Sequence, residues 1–126
     1  MDTLVKSRVF TNQLTGADIL INTLIDNGIT TVFGYPGSPI LSIYESITKT
    51  DKIKHYLSRN ELGAVHAGEG YANVSGKCGV VLVTSGPGFT NTITGIMNAN
   101  KDKTPLLIIT AQSENIGQNE FQDINV

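Results

Sequence analysis

Apolar residues recur at Ala17, Leu20, Ile21, Leu24 and Ile25, the i, i+3, i+4, i+7, i+8 spacing of one helical stripe. Thr15 followed by Asp18 resembles a capping box with Asp in place of Glu or Gln, and Asn27-Gly28 supplies a left-handed stop. The pattern then changes period. "TTVFG" reads as a short buried strand, and Pro39 opens a second helix with Ile40, Ile43, Tyr44 and Ile47 on one face. "IKHYLS" predicts a second strand. "SRNELGAVHAGEGYA", from Ser58 to Ala72, predicts a third helix with Asn60 as N-cap and a flank of Gly63, Ala64, Ala67 and Gly68. "GVVLVT" and "PLLIIT" are uninterrupted apolar runs, the pattern of strands covered on both faces. Between them Phe89, Ile93, Ile96 and Met97 mark a further helix.

Strands alternating with helices predict an α/β fold, a parallel sheet with helices on both faces and right-handed crossovers. Ligands in such sheets sit at the carboxyl ends of the strands. Three segments with unusual residues fall there: "GYPGSP" (Gly34 to Pro39), "SRNE" (Ser58 to Glu61) and "SGPG" (Ser85 to Gly88). A fourth, "AQSENIGQNEFQD", follows the last strand. No repeat, low-complexity tract or linker interrupts the chain, so residues 1–126 read as one domain with a lead-in over residues 1–13.

Composition narrows the function classes. The chain has 126 residues, is 40% hydrophobic and 16% charged, and can bury a core. A net charge of -2 offers no basic footprint for nucleic acid and no polybasic patch for a membrane. No apolar run approaches the roughly 20 residues of a membrane helix, and the start lacks the apolar length of a secretory signal. One cysteine, Cys78, permits no internal disulfide and fits a reducing, cytoplasmic setting, or a plastid or mitochondrion in a eukaryote. Cys78 with His55 and His66 makes no zinc-ligand pattern, and no metal ligand is assigned.

The candidate chemistry begins with Glu61, an acid in the first turn of a helix built for close packing. A first-turn glutamate can simply complement the helix dipole, worth about 0.3–1 kcal/mol. It can also be a carboxyl group held for proton exchange, with burial raising its pKa and the helix terminus lowering it. In "GYPGSP", Ser38 as N-cap and Pro39 at N1 account for a tight turn but leave Tyr35 unexplained. "SGPG" joins strand to helix and is neither a P-loop nor a dinucleotide fingerprint. His66 reads as a packed or hydrogen-bonded residue and Cys78 as a small core or turn residue. Glu69 and Asp102 read as solvated.

Together, in this order and spacing, "GADILINTLIDNGITTVFGYPGSPI", "NELGAVHAGEGYANVSGKCGVVLVTSGPGFTNTITGI", "TPLLIITAQ" and "EFQD" resemble the N-terminal, pyrimidine-binding (PYR) domain of thiamine-diphosphate enzymes. The closest likeness is to the catalytic subunit of acetolactate synthase (acetohydroxyacid synthase), over residues 16–123. The resemblance implies that Glu61 is the cofactor-activating glutamate. In the family that carboxyl hydrogen-bonds the aminopyrimidine N1′ and relays the proton that activates thiazolium C2 toward a 2-keto acid. It further implies that Tyr35, Pro36 and Gly37 lie near the reactive carbon, and that Ser85, Gly86, Pro87 and Gly88 lie beside the aminopyrimidine. Ser38, Phe121 and Gln122 would line the substrate channel. The small-residue helix would pack around the pyrimidine site and between subunits. The implied reaction condenses pyruvate with a second 2-keto acid, with loss of carbon dioxide, in branched-chain amino acid biosynthesis.

The chain also departs from the family pattern. Ser38 stands where acetolactate synthases have a second glycine. Asn60 replaces a frequent histidine, Asn73 a frequent arginine, and "TAQ" the usual "TGQ". The Gly-Ser pair is shared with benzoylformate decarboxylases, which makes a 2-keto acid decarboxylase the alternative. There is no "GDG" motif, so the resemblance implies that the diphosphate and Mg2+ are held by a C-terminal domain or subunit outside this sequence. FAD and a homodimer or tetramer would belong to the complete enzyme. The domain is therefore expected to be C-terminally incomplete, either a fragment or a split subunit. A non-catalytic remnant is the reading from a different class, and the 126-residue chain alone is expected to be inactive.

Overall fold

A computed structural model describes residues 13–112 of the chain. The elements in order are α1 (Gly16–Asp26), β1 (Thr31–Tyr35), a 3-10 turn (Ser38–Ile40), α2 (Leu41–Thr48), β2 (Lys54–Leu57) and α3 (Glu61–Ser75). They continue with β3 (Gly79–Val83), α4 (Pro87–Thr90), α5 (Ile93–Asp102) and β4 (Leu106–Thr110). The four strands form one sheet in the order β2-β1-β3-β4, every pair parallel. The α/β architecture expected from the alternation is therefore present.

Period two within the strands divides the core. Val80 and Leu82 join Val32, Ile21, Leu24, Ile40, Ile47 and Ile53 under α1 and α2. Val81 and Val83 join Ala64 and Val65 under α3. β3 is buried at all five positions because a helix layer covers each face. Each such aliphatic side chain contributes roughly 1.5–3 kcal/mol by leaving water.

The capping signals act as expected. Thr15 Oγ1 accepts from the Asp18 amide at 3.1 Å, and Asp18 Oδ2 accepts from the Thr15 amide at 3.0 Å. Gly28 adopts φ +77°, the left-handed stop that Asn27-Gly28 predicts. Ser38 differs from expectation. It is the first residue of the 3-10 turn, Gly37 occupies the cap position, and no side chain caps that turn.

Two apolar segments are covered differently from what their composition suggests. β4 is paired only with β3 among the described residues, and Leu107 on it is 41% exposed. Its register partner is Val80, on the α1–α2 side, but the edge position carries Leu107 beyond the cover that Val80 receives. The segment after β3 is two helices. Ile93 and Met97 face solvent, while Thr92, Gly95 and Ala99 are buried. Large apolar residues mark one stripe, but α5 meets α3 through its small ones. A Cβ on Gly95 would collide with Val65.

The flank of small residues on α3 meets the chain's own sheet. Ala64, Gly68 and Ala72 are buried, and a Cβ on Gly68 would lie 2.9 Å from Val81 Cγ2. Gly79 sits directly against the Gly68 carbonyl, so helix and strand approach backbone to backbone. Gly63 has open space around it.

Candidate active site at the carboxyl edge of the sheet

The chain leaves β1 toward β2 and leaves β3 toward β4, so the sheet order reverses direction between β1 and β3. Such a switch point opens a crevice between the two diverging loops. Tyr35 pairs with Val83 across it, which sets Gly37 and Thr84 at the same height. A Cβ on Gly37 would lie 2.6 Å from both Cβ and Oγ1 of Thr84. A Cβ on Gly88 would lie 2.5 Å from Thr84 Cγ2 on the other side. Thr84 is thus a wedge between the two glycine loops. Neither loop could carry a side chain there without moving. The Thr84 Oγ1 is buried and has no hydrogen-bond partner among the described residues.

Glu61 arrives from the third loop. Ser58 donates its amide to the Gly34 carbonyl at 2.9 Å, which ties the end of β2 to β1. Asn60 then turns extended, and its Oδ1 accepts from the Leu62 amide at 2.8 Å and the Gly63 amide at 3.4 Å. This cap fixes Glu61 as the first residue of α3. Its side chain is half-buried. Asn91 Nδ2 donates to Glu61 Oε2 at 3.0 Å. The other oxygen, Oε1, lies 3.7 Å from where a Gly88 Cβ would be. No ion pair among the described residues reaches Glu61.

The "SGPG" loop is shaped by its backbone. Gly86 adopts φ +59° and ψ -120°, a conformation that favours glycine. Pro87 begins α4, and the Gly88 amide donates to the Ser85 carbonyl at 3.2 Å. Ser85 is 2% exposed. The structure therefore brings Glu61, Gly37 and Gly88 to one crevice, with Ser85, Gly86 and Pro87 forming its β3 side. Tyr35 and Ser38 are exposed at the two ends of the β1 loop, with Pro36 between them half-buried. Phe121 and Gln122 lie outside the described residues.

Several polar residues escape a reading by sequence. Thr84 looks like the last residue of a strand, and Asn91 like a helix-surface residue. Glu69, expected to be solvated, is 6% exposed. Its Oε1 accepts from Asn98 Nδ2 at 2.6 Å, and its Oε2 lies 3.0 Å from His66 Nδ1. The tautomer of His66 with Nδ1–H donates to that oxygen. Glu69 is buried where α5 lies over α3, and each of its oxygens has a partner. His66 is hydrogen-bonded, as expected, and Asp102 is exposed. Cys78 is half-buried ahead of β3, and burial pushes its thiol up.

A carboxyl with one oxygen held by Asn91 and the other beside Gly88 can meet a basic ring nitrogen. The buried Thr84 hydroxyl lies against Gly37, between the two glycine loops. Among the described residues no group of three His, Cys, Asp or Glu side chains could hold a metal ion, and no helix is long and apolar enough to cross a membrane.

The chain is 47% identical over 116 residues to the acetolactate synthase large subunit of Haemophilus influenzae, covering 90% of this chain and 20% of that protein. It is 47% identical over 110 residues to the acetolactate synthase large subunit of Lactococcus lactis, covering 86% and 19%. It is 45% identical over 116 residues to the acetolactate synthase isozyme 3 large subunit of Escherichia coli, covering 90% and 20%. The chain thus spans about one fifth of the length of these relatives. Residues 14–125 match the model of the thiamine pyrophosphate enzyme N-terminal TPP binding domain, and the chain belongs to that family.

Proposed function

We propose that this chain supplies the cofactor-activating half of a thiamine-diphosphate-dependent carboligase of the acetolactate synthase type, with Glu61 as the activating carboxyl. The observation that carries the reading is the placement of Glu61, half-buried beside Gly88 with Oε2 held by Asn91 and Oε1 toward the crevice. When bound, thiamine diphosphate supplies an acidic thiazolium carbon that adds to a 2-keto acid and accepts the electrons left by carbon dioxide. Glu61 would hold and return a proton at the ring nitrogen of the aminopyrimidine. Gly37 and Gly88 pack against Thr84, which would set the spacing of the two loops beside Glu61.

The pairing with a diphosphate-binding domain or subunit is part of the proposal, as are Mg2+ held there and a cytoplasmic setting. Homology to acetolactate synthases supports pyruvate as the first substrate. Ser38, at the exposed end of the β1 loop, is the residue we assign to substrate selection.

The test is exchange of the cofactor C2 proton in the complete enzyme, comparing Glu61→Gln with the parent. Gln keeps the shape and can still accept from Asn91, but it cannot relay a proton. Exchange should slow by about two orders of magnitude or more. Exchange at the parent rate would overturn the assignment.

A further inference from the structure

Helices α3 and α5 are joined by two rungs of the same kind. Asn91, at the start of the α5 segment, donates to Glu61 at the start of α3. Asn98, two turns along, donates to Glu69, also two turns along. The two rungs differ in setting. Both are exposed at the Asn end, but the first reaches a half-buried carboxyl and the second one that is 6% exposed.

We propose that Asn91 is a positioning residue for Glu61, and that the Asn98–Glu69 bond sets α5 in the register that keeps Asn91 there. The proposal rests on the reading of Glu61 as the cofactor-facing carboxyl. An amide N–H can only donate, so the Asn91 Nδ2 group fixes Oε2 as the occupied oxygen. The carboxyl can then present only Oε1 to the crevice.

Asn91 cannot hold that place unaided. It lies in the short joint between α4 and α5, and its residue is exposed. The rest of α5 supplies the constraint. Gly95 lets α5 pack directly on Val65 of α3, which leaves no room between the helices. Close packing of small residues fixes separation but allows sliding along the axis. The Asn98–Glu69 bond at 2.6 Å stops the slide, because any shift by one residue would leave a buried carboxylate oxygen without its donor. His66 meets the other oxygen at 3.0 Å from the solvent side, which leaves Asn98 to the first.

The experiment is NMR measurement of the Glu61 side-chain rotamers, from three-bond couplings about χ1 and χ2, in the full chain without cofactor. The parent should show a single rotamer, and Asn91→Ala should lose it to averaging. Asn98→Ala should average the couplings in part, and Asn98→Ser takes its place should Asn98→Ala fail to fold. Thr94→Ala, an exposed change on the same helix, should keep the parent couplings. Parent-like couplings in Asn91→Ala overturn the positioning role. Parent-like couplings in the folded Asn98 variant overturn the register role. Averaged couplings alongside undisturbed C2 exchange in Glu61→Gln would uphold both roles and remove the functional reading of Glu61 instead.

Discussion

Gly88 faces Thr84 so closely that a Cβ on the glycine would lie 2.5 Å from the threonine Cγ2. The same Cβ would lie an ordinary 3.7 Å from Glu61 Oε1. The conflict is therefore with one methyl group. Gly88→Ala should cost about 1–3 kcal/mol of stability through overpacking. Thr84→Ser, which removes Cγ2, should recover most of that loss in the double variant. Denaturant midpoints of the four-membered cycle give the coupling. Gly37→Ala should show no such rescue, since its Cβ would meet the Thr84 Cβ and Oγ1, which serine retains. The rescued double variant should still bind thiamine diphosphate more weakly, because its new methyl projects beside Glu61.

Thr84 carries a second prediction. Its Oγ1 is buried without a partner among the described residues, and a buried unpaired hydroxyl costs about 1–3 kcal/mol. Thr84→Val keeps the shape and removes that cost. The cofactor-free protein should become more stable by about 1 kcal/mol, read from urea midpoints at constant slope. A loss of stability would mean that the hydroxyl has found a donor or acceptor.

What the sequence disclosed follows from what periodicity can carry. The helical stripe from Ala17 to Ile25, the buried run of β3 and the caps at Thr15 and Asn60 are local signals, and each forms as expected. Strand ends place Glu61, Gly37 and Gly88 on one edge for the same reason. β4 and α5 form as expected, but which of their residues are covered depends on neighbours. An edge position uncovers Leu107, and Gly95 rather than Met97 faces α3. Glu69 looks like any charged helix residue until Asn98 and His66 are placed against it. Thr84 and Asn91 have no pattern of their own. Their roles arise from pairs across the fold, and one sequence does not display pairs.

Acid should weaken the fold in two stages. Burial lowers the His55 pKa below its usual 6.5, partly opposed by a backbone bond to Gly34, and its Nε2 is buried without a partner among the described residues. The unfolded chain therefore binds that proton first, and the stability from neutral His55 is lost as pH falls below about 6.5. Asp18 acts lower. The Thr15 amide, Ser46, the Thr15 hydroxyl and Lys49 hold its carboxyl well below the usual 3.8. Its contribution is present above that value and is lost as pH falls through and beneath it. Melting temperatures should drop between pH 7 and 5, then again below about 4. His55→Gln should flatten the first drop, and Asp18→Asn the second.

The height of α3 over the sheet, and with it the position of Glu61, depends on a pair of glycines with unequal tolerance. A Cβ on Gly79 would run into the backbone carbonyl of Gly68, which cannot move without lifting the helix. A Cβ on Gly68 would meet the Val81 Cγ2 at 2.9 Å and the Leu106 Cδ1 at 3.2 Å, both ends of side chains. Gly79→Ala should therefore cost about 3 kcal/mol. Gly68→Ala gains about 1 kcal/mol of helix propensity, which offsets part of the repacking, and should come out near neutral. Urea unfolding of the two variants checks the ranking. If α3 lifts in Gly79→Ala, the Asn91 bond to Glu61 should lengthen with it, and the Glu61 side chain should lose the single rotamer it keeps in Gly68→Ala. Equal losses in the two variants would mean that helix and strand separate freely, and that Glu61 is held by its cap and by Asn91 alone.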